Sequence, residues 1–545
     1  MGASVAHSTP ETNTAETTER RLASDRSIVS GRNRGLEFPL RWKLPRTLDQ
    51  RPIIILVGTL AATTVFMAYA NFVLNHFYRY GAAFLDTGLL ADLAWHKPAD
   101  LPGGAILHNL SFYAIHIAPI LSLLSVSSWL VPLSMAQWFA LFTGIAHALL
   151  AIGVFWLLVT EYGLRSGWRL LVATAFAMAF SFNGLAIAQV RYPHFEVLIA
   201  SSLTLFLVAL WRERIVLATV FLGIALICRE DAGFHAVAML AVLVAMRRFF
   251  DGAPLSAQKP ALIFLTVGLV YSVGVLWLGR MLFPEQSSFV RVYLGSPPLA
   301  HISPSLLTLR LQMLVALRSY IVFPMVGAAV WAILARNPYL VVGYIAFIPW
   351  TVLQLLAKSD LAGTLSSYYG FPYLVAAFWP LIGWRIGAAR AARPAWEPYV
   401  GFGAMILASF TALSVQHNPS RIPIWDGFTD PPSLTEQASL EHAIKAIHAD
   451  HALLGRVVAD DSIVSLRPEE FDRRETLVDY RSGKPDALIY FAGDRDCGRI
   501  AGLAARSGLS RAYAVAGSPM RVITDAKLAD LPTLGVLLKP LPSAS

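Results

Sequence analysis

An α-helical polytopic membrane protein with a small C-terminal α/β domain is the fold class this sequence predicts, on three observations. Of 545 residues, 56% are hydrophobic and only 14% are charged, where a soluble protein carries about 25% charged residues. Apolar runs long enough to span roughly 30 Å of hydrocarbon recur through the first 416 residues. Every second connection between those runs is basic, as cytoplasmic loops are.

Residues 1–50 form a polar leader rich in Ser, Thr and Arg, read as a cytoplasmic and largely disordered tail. Nine basic residues from Arg20 to Arg51 precede the first apolar run, about 52–76, and hold the N-terminus inside. The leader is too long for an ordinary cleaved signal peptide, although Ala68-Tyr69-Ala70 has a weak cleavage-like pattern.

Ten further runs follow at about 137–160, 170–189, 195–211, 214–229, 232–247, 260–281, 306–335, 338–357, 368–389 and 398–416. Arg165 and Arg169, Arg212 and Arg214, Arg247, Arg248 and Lys259, Arg336, and Arg385, Arg390 and Arg393 occupy the even connections. About eleven crossings result, within a membrane domain of residues 51–419, with the N-terminus cytoplasmic and the C-terminus extracytoplasmic. Residues 110–132 are apolar enough to cross, but a crossing there would turn every basic loop outward. Residues 77–132 are therefore read as one outer loop whose helices lie along or dip into the interface. Arg310 and Arg318 imply that the first turns of the eighth run lie outside the lipid or face a cavity. Neither duplicated halves nor paired interrupted helices are legible.

Residues 420–545 change character. Short apolar segments at 457–459, 487–492, 512–516, 522–523 and 536–538 have strand length, and 433–451 has a helical pattern. Alternating helices and short strands predict an α/β domain, extracytoplasmic by parity. The net charge of +9 resides in loops and the leader and is no nucleic-acid footprint. Cys228 and Cys497 lie far apart and suggest neither a disulfide framework nor a CxxC metal site.

The polar residues that need explaining fall in the outer connections. The first carries Asp86, Asp92 and His116; the next carries Arg191, Tyr192, His194 and Glu196. Arg229-Glu230-Asp231, then Glu285, Arg291, Tyr293 and His301, then Lys358, Asp360, Tyr368 and Tyr369 follow. Charges at membrane depth are expensive unless paired or hydrated, so each is a functional candidate. Each also has a structural reading. Arg229-Glu230-Asp231 fits a solvated turn with an internal ion pair as well as a cavity lining. Glu196 suits a helix N-terminus, Asp86 a cap or turn, and Tyr368 and Tyr369 an aromatic belt. His194-x-Glu196 is too short to define a metal site.

Taken in order, Asp86-x-Gly88 with Asp92 and Trp95, His116-x-x-Pro119-Ile120, His194-x-Glu196, Arg229-Glu230-Asp231 and Ser367-Tyr368-Tyr369 form a recognisable set. The set resembles a family of bacterial polytopic membrane proteins, a domain of unknown function grouped with the C-type (GT-C) glycosyltransferase superfamily. The resemblance covers roughly residues 60–500. Asp92 stands where that family usually has Gln, Arg229 where it tends to have Lys, and Tyr192-Pro193 where it has an Asp-Phe lead-in.

The resemblance implies a bacterial inner-membrane enzyme that takes a sugar from a polyprenyl-phosphate donor on the outer leaflet. The acceptor would be an envelope glycan or lipid. It implies Asp86 as general base, inversion at the anomeric carbon, and substrate or phosphate contacts from Asp92, His116, Arg191, His194, Glu196, Arg229, Glu230, Asp231, Arg291, Tyr368 and Tyr369. Some superfamily members use a divalent metal ion and others do not; Asp86, Glu230 and Asp231 could supply oxygen ligands. A transporter or flippase of a lipid-linked or small anionic substrate is the alternative. Membrane lipid is a partner on either reading, and nucleic acid on neither.

Overall fold

The computed structural model describes residues 50–80, 90, 93–94, 112–114, 116–131, 133–190, 193–283, 293–388, 394–416, 431–467, 470–471, 477, 480, 483–492 and 497–541. The expectations for the leader 1–49, Asp86, Asp92, Arg191 and Arg291 lie outside these residues.

The apolar runs are helical. In chain order they are α1 (Arg51–Asn75), α2 (Pro119–Leu130), α3 (Met135–Glu161), α4 (Trp168–Ser181), α5 (Gly184–Val190), α6 (Val197–Trp211), α7 (Ile215–Cys228), α8 (Ala232–Asp251) and α9 (Lys259–Leu282). They continue as α10 (Pro304–Leu317), α11 (Ser319–Leu334), α12 (Val342–Ala346), α13 (Ile348–Leu355), α14 (Asp360–Gly363), α15 (Pro372–Phe378), α16 (Pro380–Ala388) and α17 (Glu397–Gln416). Among the described residues, five helices are long and apolar enough to cross a membrane, or seven if each bent pair is one span. The chain is a multi-pass membrane protein. Large apolar side chains such as Leu56 on α1, Trp277 on α9 and Ile333 on α11 stand exposed on the bundle's flanks. In water such patches would drive association, and against lipid they are the solvent-facing surface. Helix α2, at 12 residues, is about 18 Å long, shorter than the hydrocarbon core.

Contacts between helix ends sort those ends into two groups. Glu161 at the end of α3 pairs with Arg212 after α6, Nη1 to Oε1 2.5 Å. Asp251 at the end of α8 accepts a 2.7 Å bond from the Tyr339 hydroxyl, and Arg385 of α16 sits 5.8 Å over the Tyr162 ring. At the opposite ends, His116 reaches Glu230 and Glu196 reaches Arg229. The basic connections and the acid-histidine connections therefore occupy opposite ends of the bundle.

Two helices are broken, against the expectation that none would be. Helices α4 and α5 meet at 45°, and α10 and α11 at 85°. The first break is an Asn-Gly turn inside an apolar run. The Asn183 side chain accepts from the backbone N–H groups of Leu185, at 2.9 Å, and Ala186, at 3.0 Å, so it caps α5 and starts it afresh. Gly184 is obligatory, since a Cβ there would lie 2.0 Å from the Ser409 carbonyl oxygen of α17. The second break falls at Arg318, the residue between α10 and α11, whose backbone leaves the helical region at φ −128° and ψ 28°. Arg310 is buried, and its guanidinium donates to the carbonyls of Leu355 (2.8 Å) and Ala357 (2.5 Å) and to Asp360 (3.1 Å). His301 adds a 3.0 Å contact to the Leu356 carbonyl. Two basic side chains thus satisfy carbonyls left open at the end of α13.

The C-terminal domain is built on a five-stranded sheet: β1 (Val457–Ala459), β2 (Ala487–Phe491), β3 (Ala512–Val515), β4 (Met520–Thr524) and β5 (Leu538–Pro540), in the order β1-β2-β4-β3-β5. β1 and β2 are parallel and the other pairs antiparallel. The period of two divides the strands between two faces. Val457, Ala459, Ile489 and Phe491 join a core with Leu440, Ile444 and Ile447 of α18 (Leu434–Ala449). Val458 and Leu488 pack instead with Ile500, Leu503 and Ala504 of α20 (Cys497–Ser507), whereas Ile463, Val464 and Leu466 of the short α19 (Asp461–Leu466) join the first core.

This domain sits on the end of the bundle that carries the acid-histidine connections, and two helix caps do double duty there. Ser134 and Gln137 form a capping box on α3, and the Gln137 amide also donates to Gln437 at 3.1 Å. Ser433 and Glu436 form the same box on α18, and Glu436 also pairs with Arg79 at 3.1 Å. Between them the Tyr78 hydroxyl donates to Glu441 at 2.7 Å, and Glu441 accepts from Arg467 at 3.2 Å.

Candidate functional site

Three connections distant in sequence meet at this end. Arg229 is the hub. It stands in extended conformation where α7 stops, so its side chain turns inward rather than continuing along the helix. Its Nε donates to Asp231 Oδ1 at 2.6 Å, and its Nη2 to Asp231 Oδ2. This is the bidentate fork geometry that suits a guanidinium. Nη1 pairs with Glu196 Oε1 from the connection before α6. The Phe371 ring lies 5.8 Å from the guanidinium carbon. Arg229 and Glu196 are both almost entirely buried.

Around the hub, His194 Nδ1 lies 3.8 Å from Glu196, and His116 Nδ1 lies 2.7 Å from Glu230 Oε1. His116 belongs to the chain leading into α2, so this contact ties the first outer loop to the α7–α8 connection. His116 is the most exposed of these side chains, at 37%, against 10% for Glu230. Burial alone would raise the Asp231 carboxyl; the charge and hydrogen bonds of Arg229 outweigh it and hold the carboxyl down at about 2. Burial first, then Arg229, pushes His194 well below the usual imidazole range, so it is neutral at physiological pH.

Of the residues singled out in the sequence, His116, His194, Glu196, Arg229, Glu230 and Asp231 come together. Tyr369 is near them through its backbone: its carbonyl accepts a 3.0 Å bond from Trp350 Nε1. Tyr368 falls in the short turn Ser367–Gly370. Asp360 pairs with Arg310 and is otherwise highly exposed.

Further residues surround the cluster. His235, one turn into α8, lies 4.0 Å from Asp231, with Trp350 and Phe371 each 4.9 Å from its ring. Tyr293 accepts a 3.2 Å bond from the Gln354 amide, and burial pushes its phenol up to about 12. His235 follows Asp231 by four residues, a same-face helical spacing visible in the sequence. Tyr293 stands among the polar residues of the outer connections, whereas nothing local marks Gln354.

The charge balance decides what this constellation can do. Arg229 is met by two carboxylates, and Glu230 adds a third acid beside His116. The cluster is an acid-rich scaffold with spare acceptors, since among the described residues Glu196 Oε2 and Glu230 Oε2 have no hydrogen-bond partner. Glu230 and Asp231 aim at different partners, His116 and Arg229. Among the described residues no group of three or more His, Cys, Asp or Glu side chains is arranged to hold a metal ion.

No family model and no curated protein matches the chain. Among solved structures it is similar to the crystal structure of ArnT from Cupriavidus metallidurans bound to undecaprenyl phosphate. The TM-score is 0.47 and the sequence identity 11%, over 87% of this chain and 98% of that one.

Proposed function

We propose that this protein is a membrane glycosyltransferase that moves a sugar from a polyprenyl-phosphate donor to an envelope glycan or lipid acceptor on the extracytoplasmic face. The observation that carries the reading is the convergence of His116, His194-x-Glu196 and Arg229-Glu230-Asp231 from three connections onto one buried cluster. Those motifs are the ones on which the GT-C resemblance rests. The C-terminal domain roofs the same end, as a surface enzyme would require.

In this reading the Asp86 carboxylate accepts the proton of the acceptor hydroxyl while its oxygen attacks the anomeric carbon. The bond from that carbon to the phosphate oxygen breaks with inversion, and polyprenyl phosphate leaves. Arg229 is chiefly a positioning residue, because Glu196 and Asp231 already meet its charge. The cations that stabilise the leaving phosphate are then Arg191 and Arg291, with His116 as a further hydrogen-bond donor. Asp92, Tyr368 and Tyr369 complete the substrate contacts. A divalent metal, if used, would draw on Asp86 and Glu230 rather than on Asp231, whose two oxygens Arg229 occupies.

The two broken helices favour a second reading, a transporter or flippase, since interrupted spans recur in transporters. Proteoliposomes loaded with a polyprenyl-phosphate sugar distinguish the two. Transfer predicts a new glycosidic bond in wild type and its loss in both Asp86→Asn and Asp86→Ala, with unfolding midpoints unchanged. Translocation of intact lipid without bond formation would overturn the transferase reading, and full activity in both variants would move the base elsewhere.

A further inference from the structure

Beside the charged cluster, and bordered by the Phe371 ring that also faces Arg229, lies a small, partly open cavity with room for roughly one water molecule. It is lined by Thr143 and His147 of α3, Gln189 of α5, and Pro193, Val197 and Phe371. His194 borders it too, so it adjoins the site.

Its polar lining is unsatisfied. Among the described residues, the Thr143 hydroxyl and both amide atoms of Gln189 are buried and have no hydrogen-bond partner, while the His147 ring meets the backbones of Thr143 and Ala186. Thr143, His147 and Gln189 are 1%, 0% and 4% exposed. Leaving such groups unpaired is costly, and a membrane protein core offers no casual water to relieve them. Yet the surroundings hold them in place. His147 Nδ1 donates to the Thr143 carbonyl at 2.9 Å and the ring stacks on Tyr69 at 3.6 Å. Gln189 reaches the cavity because Asn183 and Gly184 break the span and re-aim α5.

The donor and acceptor pattern selects the occupant. The amide of Gln189 gives both a donor and an acceptor, and Thr143 either. A phosphate, which only accepts, would face acceptors without a cation. An ammonium, which only donates, would find no carboxylate among these residues. An alcohol, which donates once and accepts, matches, and the Phe371, Pro193 and Val197 walls suit the C–H bonds beside it. We propose that this cavity is a specificity subsite for one uncharged hydroxyl of the donor sugar, which Gln189 and Thr143 recognise. The proposal rests on the transferase reading and names the part of the substrate that enters the bundle.

The test uses full-length protein in nanodiscs and equilibrium binding of farnesyl phosphate, bare or carrying glucose, galactose, mannose or arabinose. Wild type should bind at least one glycosylated lipid about tenfold more tightly than bare farnesyl phosphate. Gln189→Leu should abolish that advantage while leaving the bare lipid within about twofold, and its unfolding midpoint should hold or rise because unpaired polar atoms are removed. Thr143→Val, a milder change, should lose part of the same advantage. If both variants keep the full advantage, or if Gln189→Leu is strongly destabilised, the polar atoms serve an internal water and the subsite is refuted. If bare farnesyl phosphate binds but no sugar adds affinity, the subsite is refuted and the lipid-phosphate site stands. If no lipid binds wild type at all, the transferase reading fails and the subsite fails with it.

Discussion

Arg229 and Glu196, 33 positions apart, form an ion pair that is nearly shut off from solvent, and Asp231 grips the same guanidinium from the other side. A buried pair is seldom a net source of stability compared with apolar packing, but breaking one leaves an uncompensated charge. Arg229→Met should therefore cost about 3–5 kcal/mol, and Glu196→Gln less, since Asp231 remains. Arg229→Lys keeps the charge and loses the fork, so it should fall between wild type and Arg229→Met. Thermal unfolding in detergent measures all three; equal stability throughout would mean the cluster is hydrated rather than buried.

The break at Asn183 and Gly184 predicts a packing defect. A Gly184→Ala methyl meets the Ser409 carbonyl at an impossible 2.0 Å, so α5 or α17 must shift. Overpacking of this kind costs about 1–3 kcal/mol or more. Gly223→Ala, whose Cβ meets nothing within 4 Å, is the control and should be neutral. Unfolding midpoints of the two variants, compared side by side, read the difference.

Arg310 predicts a capping defect rather than a catalytic one. Arg310→Met removes the donors that satisfy the Leu355 and Ala357 carbonyls, which should cost about 1–3 kcal/mol. Hydrogen exchange should quicken first around residues 348–363. Uniform exchange throughout the chain would contradict a local role.

The neutral state of His194 sets a pH dependence. Its folded pKa lies below the ordinary imidazole value, so the unfolded chain takes up the proton first. Its contribution is complete above about pH 6.5 and shrinks as the pH falls below that value. His194→Asn should lose less stability than wild type between pH 6.5 and 5, seen as converging unfolding midpoints. Parallel curves would show that His194 has access to water.

Much of this architecture was legible in the chain. The apolar runs became helical, although several are broken or divided into shorter helices. The five strand-length segments after residue 456 became strands at nearly the same positions. The acid-histidine connections met because basic loops claimed the other end. What escaped has a common physical cause. Thr143, His147 and Gln189 are single polar residues inside apolar stretches, where periodicity is silent on whether they find partners. The turn at Asn183-Gly184 carried a local signal, an Asn-Gly pair, which the surrounding hydrophobicity masked. The docking of the C-terminal domain through Gln137, Tyr78 and Arg79 joins residues some 300 or more positions apart, and no local pattern predicts such pairs.

Sidedness is the premise of the whole functional account, and impermeant-maleimide labelling of single cysteines measures it directly. On a background with Cys228 and Cys497 replaced, cysteines at Asp86, His301 and Thr435 should label in right-side-out vesicles and stay protected in inverted ones. Cysteines at Ser166 and Ala253 should do the reverse. Labelling of positions 86 and 301 from opposite sides would separate the proposed base from the cluster around Arg229 and contradict the account.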